Sequence, residues 1–261
     1  MAEGVGVLLE GCASLGIDVD DNQAATFEAY TELLLAWNRR FTQLGPRAAA
    51  KMWSRHCLDA LTIVLALPSK PVERARTCLD VGSGAGIPGI PLAIAFPRWQ
   101  VTLLEATAKK VRFLELARER LQLANVRVAG GRAQELAHDA IHRAAYDLCV
   151  ARAVAPTASL LELTLPFVRW NGDVILCKGV KSLRDELDGA EVERRLLGAS
   201  APAVTWAVQA GSIGGCLVRY QKVAETPAAL PRRQGSPAHQ ALTAPCRGTE
   251  SWQKPASGVP R

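Results

Sequence analysis

The sequence predicts an α/β fold in which helices cover both faces of a mainly parallel β-sheet and an all-helical region precedes the sheet. Short apolar runs alternate with helix-like segments through the middle of the 261-residue chain. Residues 1–70, in contrast, show helical periodicity and no strand-like alternation. We therefore expect a helical region at 1–70, a sheet-containing domain at 71–223 and an irregular, basic, proline-rich tail at 224–261.

The composition restricts the class of protein. No run of about 18 apolar residues is present, so we expect no membrane-spanning segment. The first residues, MAEGVGVLLEG, lack the basic region of a signal peptide. The seven cysteines are scattered and form no CxxC pair, which favours reduced thiols over a disulfide framework or a zinc site. These features predict a cytoplasmic protein without a bound metal.

Two helices are predicted ahead of the sheet. Asp20 and Asp21 are candidates for the N-cap of the first. Its apolar face repeats at steps of three and four residues, at Phe27, Tyr30, Leu34 and Trp37. A second helix is predicted from Ala48 to Leu67, and prolines end it.

Apolar runs mark the strands of the sheet. The predicted strands contain Cys78–Val81, Val101–Leu104, Val126–Val128, Leu148–Val150 and Val174–Leu176. Two late strands, Ala203–Gln209 and Cys216–Val223, have the spacing of a hairpin that closes the sheet. Helices are predicted at Ala108–Leu121 and Ser182–Leu197.

The segment from Thr77 to Ala95 combines a buried strand, a glycine turn and the start of a helix. Gly82, Gly84 and Gly86 follow the strand directly. Glycine adopts positive φ at little cost and lets a ligand approach the backbone. Free N–H groups at the following helix start favour an anionic or polar ligand, so the segment predicts a nucleotide-type cofactor site.

Two cofactors fit this turn. The residues from Gly84 to Gly89 satisfy GxGxxG, the weak fingerprint of dinucleotide binding. The longer run DVGSGAG, with Asp80 two residues before the first glycine, is typical of S-adenosylmethionine sites. The absence of GK[ST] excludes a P-loop. Glu105, at the end of the second predicted strand, can accept hydrogen bonds from the ribose hydroxyls of either cofactor.

The glycine segment and three other segments together resemble a known family. LDVGSGAGIPGIPLA, VTLLEATAKKVRFLE, GRAQEL and YDLCVARAVAP together resemble the RsmG (GidB) family, from about Trp37 to Leu242. The resemblance implies an enzyme that methylates guanine N7 in bacterial 16S ribosomal RNA with S-adenosylmethionine. It also implies a class I methyltransferase fold, a Rossmann-like seven-stranded sheet with a reversed last strand, after N-terminal helices.

The resemblance also implies roles for individual residues. By position, those that bind the cofactor are Asp80, Gly82, Ser83, Gly84, Ile87, Glu105, Ala133, Gln134 and Arg152. Arg152 is also the candidate catalytic residue. Substrate RNA contacts are assigned to Arg55, His56, Lys178, Arg232 and Arg233. No metal is implied.

Some positions depart from the family pattern. Phe41–Leu44 replaces the usual FNLT, and His239 stands where a lysine usually follows the PRRxGxP segment. These departures concern RNA docking rather than cofactor binding.

The C-terminal part of the chain is basic. From Arg219 onward there are seven basic and two acidic residues, a local charge of +5. This charge suits a polyanionic partner but also an ordinary solvated tail.

Three functions remain open at the level of sequence. The first is a methyltransferase acting on 16S ribosomal RNA or the small ribosomal subunit, as a monomer. The second is a non-catalytic ribosome-assembly or RNA-binding factor that retains the fold. The third, resting on GxGxxG alone, is a nicotinamide-dependent oxidoreductase.

Overall fold

A computed structural model describes residues 4–41, 45, 51–68, 74–152, 155–180, 183–209 and 212–232. Its centre is one seven-stranded sheet with strand order β3-β2-β1-β4-β5-β7-β6. The strands are β1 Thr77–Val81, β2 Gln100–Glu105, β3 Val126–Gly130, β4 Tyr146–Arg152, β5 Val168–Lys178, β6 Ala203–Gln209 and β7 Ser212–Gln221. Strands β1 to β5 pair in parallel, and β7 runs antiparallel to both of its neighbours.

The helices lie before the sheet and between its strands. They are α1 Val5–Ser14, α2 Asp21–Arg40, α3 Asp59–Leu61, α4 Gly89–Ala95, α5 Ala108–Arg120, α6 Ala133–Leu136, α7 Thr157–Thr164, α8 Leu183–Asp188 and α9 Glu191–Leu196. A π-helical segment, Trp53–Leu58, leads into α3, and the 3₁₀ segment Thr62–Ala66 follows it. Another 3₁₀ turn, Leu165–Phe167, follows α7.

All seven predicted strands are present, but β7 begins at Ser212 and ends at Gln221, whereas Cys216–Val223 was predicted. Strand β5 begins at Val168, earlier than its apolar centre, because buried Val168 pairs with Tyr146 of β4 before a register shift that ends at the Leu148–Asp173 pair. The single helix predicted at Ser182–Leu197 is wrong, since Gly189 and Ala190 separate α8 from α9. Helix α1 was not predicted. The start of the predicted helix from Ala48 lies outside the described residues.

Apolar side chains form one cluster on each face of the sheet, because successive strand residues point to opposite sides. Cys78 of β1 belongs to the cluster that the N-terminal helices cover. Leu79 and Val81 belong to the other cluster, under α7 to α9. The helical region is thus part of the main core.

Helix α2 is joined to the sheet domain by polar contacts as well. Asp20 is its N-cap, as predicted, and forms a reciprocal capping box with Gln23. The Gln23 side-chain amide also donates to the carbonyl oxygens of Ile94 (2.8 Å) and Ala95 (3.3 Å) at the end of α4. The N-cap therefore fixes α2 against the helix that follows the glycine turn.

The first residues of the predicted tail, 224–232, lie in irregular backbone against the domain. The Arg143 guanidinium donates to the carbonyls of Thr226, Pro227 and Leu230 at 2.9–3.0 Å. The His138 ring lies 2.9 Å from the carbonyl oxygen of Pro231. This segment is held in place by donors from the connection between α6 and β4.

Candidate cofactor and substrate site

The strand order reverses between β1 and β4, so their carboxyl ends border a crevice, the usual ligand position in such sheets. The glycine turn lies at this edge, with φ of +75° at Gly82 and +56° at Gly84. A Cβ built on Gly82 meets nothing within 4 Å, and one on Gly84 comes no closer than 3.8 Å to any atom. The turn therefore presents open backbone, in a conformation that other residues rarely adopt.

Glu105, the last residue of β2, holds this turn. One carboxylate oxygen accepts from the Gly84 N–H at 3.0 Å, and the other accepts from the Thr107 N–H at 2.8 Å. The residue is only 5% exposed, and the Lys110 ammonium lies 4.0 Å away. Since each carboxylate oxygen can accept a second hydrogen bond, Glu105 retains the capacity to bind a pair of hydroxyls.

Asp80 carries an unused acceptor at the base of the turn. It is 1% exposed, and its Oδ2 accepts from the Gly89 N–H at 3.0 Å. Its Oδ1 is buried and has no hydrogen-bond partner among the described residues. Burial is the main reason that the pKa of this carboxyl rises to about 7. An unsatisfied buried acceptor is costly, so the site suits a cationic donor from a ligand.

The remaining predicted cofactor residues lie at the same edge. The Ser83 hydroxyl donates to the Asp80 carbonyl at 2.9 Å, and Ile87 is buried. Ala133 and Gln134 begin α6, just after β3. The Gly131 N–H donates to the Glu105 carbonyl at 3.0 Å, which draws this corner towards the end of β2.

The N-terminal helical region contributes two further side chains to the site. Tyr30 of α2, fully buried, donates its hydroxyl to the Ala85 carbonyl in the glycine turn at 2.8 Å. Asp59 forms an ion pair of 2.7 Å with the Arg152 guanidinium at the end of β4. The sequence pattern predicts Tyr30 only as part of an apolar helix face. The signal in the sequence was a tyrosine at a core position of the helix. A buried hydroxyl needs a hydrogen-bond partner, so a polar contact could have been expected there.

The predicted RNA-binding residues have different surroundings. Lys178 donates to the Ala155 carbonyl at 3.0 Å and forms an ion pair with Glu186. Arg232 forms an ion pair of 2.7 Å with Glu162 of α7. His56 lies in the π-helical segment, half-buried. The Arg55 side chain and the whole of Arg233 lie outside the described residues, as do Thr42–Leu44 and His239.

Within the described ranges, no three His, Cys, Asp or Glu side chains are grouped so that they could hold an ion. In the same part of the chain, no helix combines the length and the apolar character needed to cross a membrane.

A family model described as GidB, rRNA small subunit methyltransferase G, matches residues 23–210. A ribosomal RNA small subunit methyltransferase G from Alkaliphilus metalliredigens is 34% identical over 239 residues, covering 90% of this chain and 98% of that protein. Another of the same name, from Dehalococcoides mccartyi, is 38% identical over 236 residues, again covering 90% and 98%.

Solved structures match the fold. An O-methyltransferase from Bacillus cereus, solved in complex with SAH, superposes with a TM-score of 0.55 at 18% identity, covering 81% of this chain and 95% of that one. A methyltransferase from Pyrococcus furiosus gives 0.50 at 16% identity, covering 76% and 98%. The likeness supports the class I methyltransferase fold. The matches confirm the resemblance found in the sequence: the chain belongs to the GidB family, the rRNA small subunit methyltransferases G, and is an S-adenosylmethionine-dependent methyltransferase of ribosomal RNA.

Proposed function

We propose that this protein transfers a methyl group from S-adenosylmethionine to N7 of one guanine in 16S ribosomal RNA. The proposal rests on two features that lie at the same edge of the sheet. One is a buried Asp80 oxygen without a hydrogen-bond partner among the described residues, and the other is the glycine turn that Glu105 holds. These groups match the amino and ribose groups of the cofactor. We further propose that the protein acts as a monomer in the cytoplasm, on free 16S RNA or on the small subunit.

Each side chain has a distinct task in holding the cofactor. The Asp80 carboxylate would accept from the cofactor ammonium, and the remaining lone pairs of Glu105 would accept from the ribose hydroxyls. Gly82 and Gly84 leave room for close backbone approach. Ser83 and Ile87 shape the turn, while Ala133 and Gln134 would flank the adenine.

The chemistry requires alignment more than proton transfer. When bound, S-adenosylmethionine supplies a sulfonium methyl group that an in-plane lone pair can attack. Guanine N7 has such a lone pair and no proton, so no general base is needed in the bond-forming step. The protein must hold N7 within about 3–3.5 Å of the methyl carbon and exclude water from the site.

Arg152 is our candidate for orienting the base. Guanine presents N7 and O6 as adjacent acceptors, and arginine is their usual partner. Because N7 faces the methyl group, Arg152 would donate to O6 alone. Asp59 binds Nη2 of Arg152 at 2.7 Å and so fixes the direction of the guanidinium. His56 and Arg55, from the segment just before Asp59, stay as proposed RNA contacts, as does Arg233. Lys178 and Arg232 are held in ion pairs with Glu186 and Glu162, so we expect them to contribute little to RNA binding.

The direct test uses small subunits from cells that lack this protein, incubated with the full chain and methyl-labelled S-adenosylmethionine. Borohydride reduction followed by aniline cleaves RNA at N7-methylguanine. A single enzyme-dependent cut is the expected result. Label without a cut would place the methyl group on another atom. Cofactor binding without label, on free RNA and on subunits, would overturn the proposal in favour of a non-catalytic ribosome-binding factor.

The same assay tests Arg152. We expect Arg152→Ala to lower the transfer rate by at least about tenfold, the scale of a misoriented reacting group. Asp59→Asn should give a smaller loss, since the guanidinium remains but its direction is no longer fixed. Arg127→Ala, an exposed arginine on β3, is the matched control and should transfer normally. Normal turnover by Arg152→Ala would remove Arg152 from the catalytic site.

A further inference from the structure

A group of exposed cations near the cofactor site is not among the residues that the resemblance assigned to RNA contacts. Lys178 and Arg232 are paired with carboxylates inside the chain. Four other cationic side chains are exposed and, in the described part of the chain, have no carboxylate within ion-pair distance. We call them the cationic ledge, and they are Arg39, Arg40, Lys109 and Arg112.

Aromatic contacts bring the two halves of the ledge together. The Trp37 ring of α2 lies 5.4 Å from the Phe113 ring of α5, centroid to centroid. Phe41, the residue after α2, lies 4.9 Å from Trp37, and the Lys109 ammonium lies 3.9 Å from the Phe41 ring centroid. The end of α2 and the start of α5 therefore form one continuous surface.

The ledge adjoins the cofactor site. Helix α5 begins three residues after Glu105, and the Lys110 ammonium lies 4.0 Å from the Glu105 carboxylate. Lys109 and Arg112 are on this same first part of α5. A polyanion lying along the ledge would thus reach the sheet edge where the methyl group is transferred.

A favourable interaction with the helix dipole explains only two of the four cations of the ledge. Arg39 and Arg40 are in the last turn of α2, where cations interact favourably with the helix dipole. Lys109 and Arg112 are near the start of α5, whose first turn has no acidic residue. Lys109, in the first turn, opposes the helix dipole. In the described part of the chain it contacts the Phe41 ring, and no carboxylate lies within ion-pair distance of either cation. A local preference broken without a compensating carboxylate points to function.

We propose that the cationic ledge is a docking surface for the phosphate backbone of the substrate RNA. The inference rests on the RNA substrate of the proposed function and adds the surface that receives it. Exposed cations without carboxylate partners can neutralise phosphates and release the counterions condensed on them. Lys178 and Arg232 would first have to break ion pairs with Glu186 and Glu162.

The test measures binding of 16S RNA to the full chain, and methyl transfer to it, over a range of salt concentrations. Lys109→Ala/Arg112→Ala removes the two ledge cations that helix stability does not explain. We expect the apparent Kd and the KM for RNA to rise roughly tenfold, and the slope of log K against log salt to fall by about 1.4–1.8. The Kd for S-adenosylhomocysteine and kcat at saturating RNA should not change.

Two matched variants separate position from charge. Arg120→Ala/Arg127→Ala removes two exposed arginines near the opposite, amino-terminal edge of the sheet and should leave the KM within about twofold of wild type, since phosphate contacts are short-ranged. Lys109→Arg/Arg112→Lys keeps the ledge charges and should restore binding. Equal losses in both alanine pairs, or an unchanged salt slope in the ledge variant, would overturn the proposal. Wild-type protein that binds RNA but does not methylate it would overturn only the proposed function.

Discussion

The cofactor edge and the charged side chains assigned to RNA are built in different ways. At the cofactor edge, the hydrogen bond between Gly84 and Glu105 joins residues that are 21 positions apart in the sequence. The one between Asp80 and Gly89 joins residues nine positions apart. Among the assigned RNA contacts, Arg232 is paired with Glu162, which is 70 residues away. Asp80, the glycine turn and Glu105 come from consecutive elements of the chain, so this part of the site is encoded locally. The availability of a cation such as Arg232 depends on which distant carboxylate the fold brings to it.

The largest effect that follows from this comparison concerns Glu105. In Glu105→Ala, the Gly84 and Thr107 N–H groups lose their acceptor, and the ribose hydroxyls lose theirs. Since an unsatisfied polar group costs about 1–3 kcal/mol, we expect the Kd for S-adenosylhomocysteine to rise by roughly 100-fold. Isothermal titration calorimetry measures it directly. Glu119→Ala, an exposed carboxylate on α5, is the control and should bind normally. A change below threefold in Glu105→Ala would show that the turn holds its shape and its ligand without this carboxylate.

An intermediate effect is expected from pH, through Asp80. Its pKa is raised to about 7, mainly by burial, so the carboxylate becomes neutral as the pH falls through 7. A neutral carboxyl attracts the cofactor ammonium less strongly. We therefore expect affinity to fall by roughly tenfold between pH 7 and pH 5.5.

The sign and origin of this pH effect can be checked with one variant. Asp80→Asn cannot ionise, so its weak binding should stay nearly constant from pH 5.5 to pH 7. The Kd of each protein for S-adenosylhomocysteine, measured at several pH values, gives the comparison. A wild-type affinity that does not change over this range would contradict the assigned contact between Asp80 and the ammonium.

The same contrast explains how much the sequence predicted. The strands, the glycine turn, Asp80 and Glu105 could be located because apolar runs and glycine spacing are local signals. The hydrogen bond from Tyr30 to Ala85 was missed because it joins α2 to the turn across 55 residues. Such contacts depend on how α2 packs on the sheet, and one sequence does not encode this in any short pattern.

The availability of surface cations was also hard to predict, because no motif states which cations the fold pairs with carboxylates. Lys109 and Arg112 lie in the family segment VTLLEATAKKVRFLE, but the resemblance assigned an RNA contact to Lys178 and not to them. The structure pairs Lys178 with Glu186 and leaves the α5 cations exposed. Whether a cation can bind RNA depends on its neighbours in space, not on its motif.

The smallest effect on activity is expected at Arg232, whose guanidinium binds both oxygens of Glu162 at 2.7–3.2 Å. Its backbone N–H adds a bond of 2.7 Å to the same carboxylate, which is buried. Arg232→Ala should therefore lower the free energy of unfolding by about 1–2 kcal/mol, since the pair is partly exposed and the backbone contact remains. The KM for RNA and its salt dependence should stay within about twofold of wild type.

A double-mutant cycle decides between the structural role of Arg232 and the RNA contact that its motif predicts. If Glu162 is its partner, Glu162→Ala and Arg232→Ala should be non-additive in urea denaturation, with a coupling energy of about 1 kcal/mol. Methyl transfer by both single variants would then match wild type. A raised KM in Arg232→Ala with no coupling to Glu162 would instead mean that the guanidinium leaves its carboxylate to bind RNA. The RNA-binding surface would then extend from the cationic ledge to the segment 224–232.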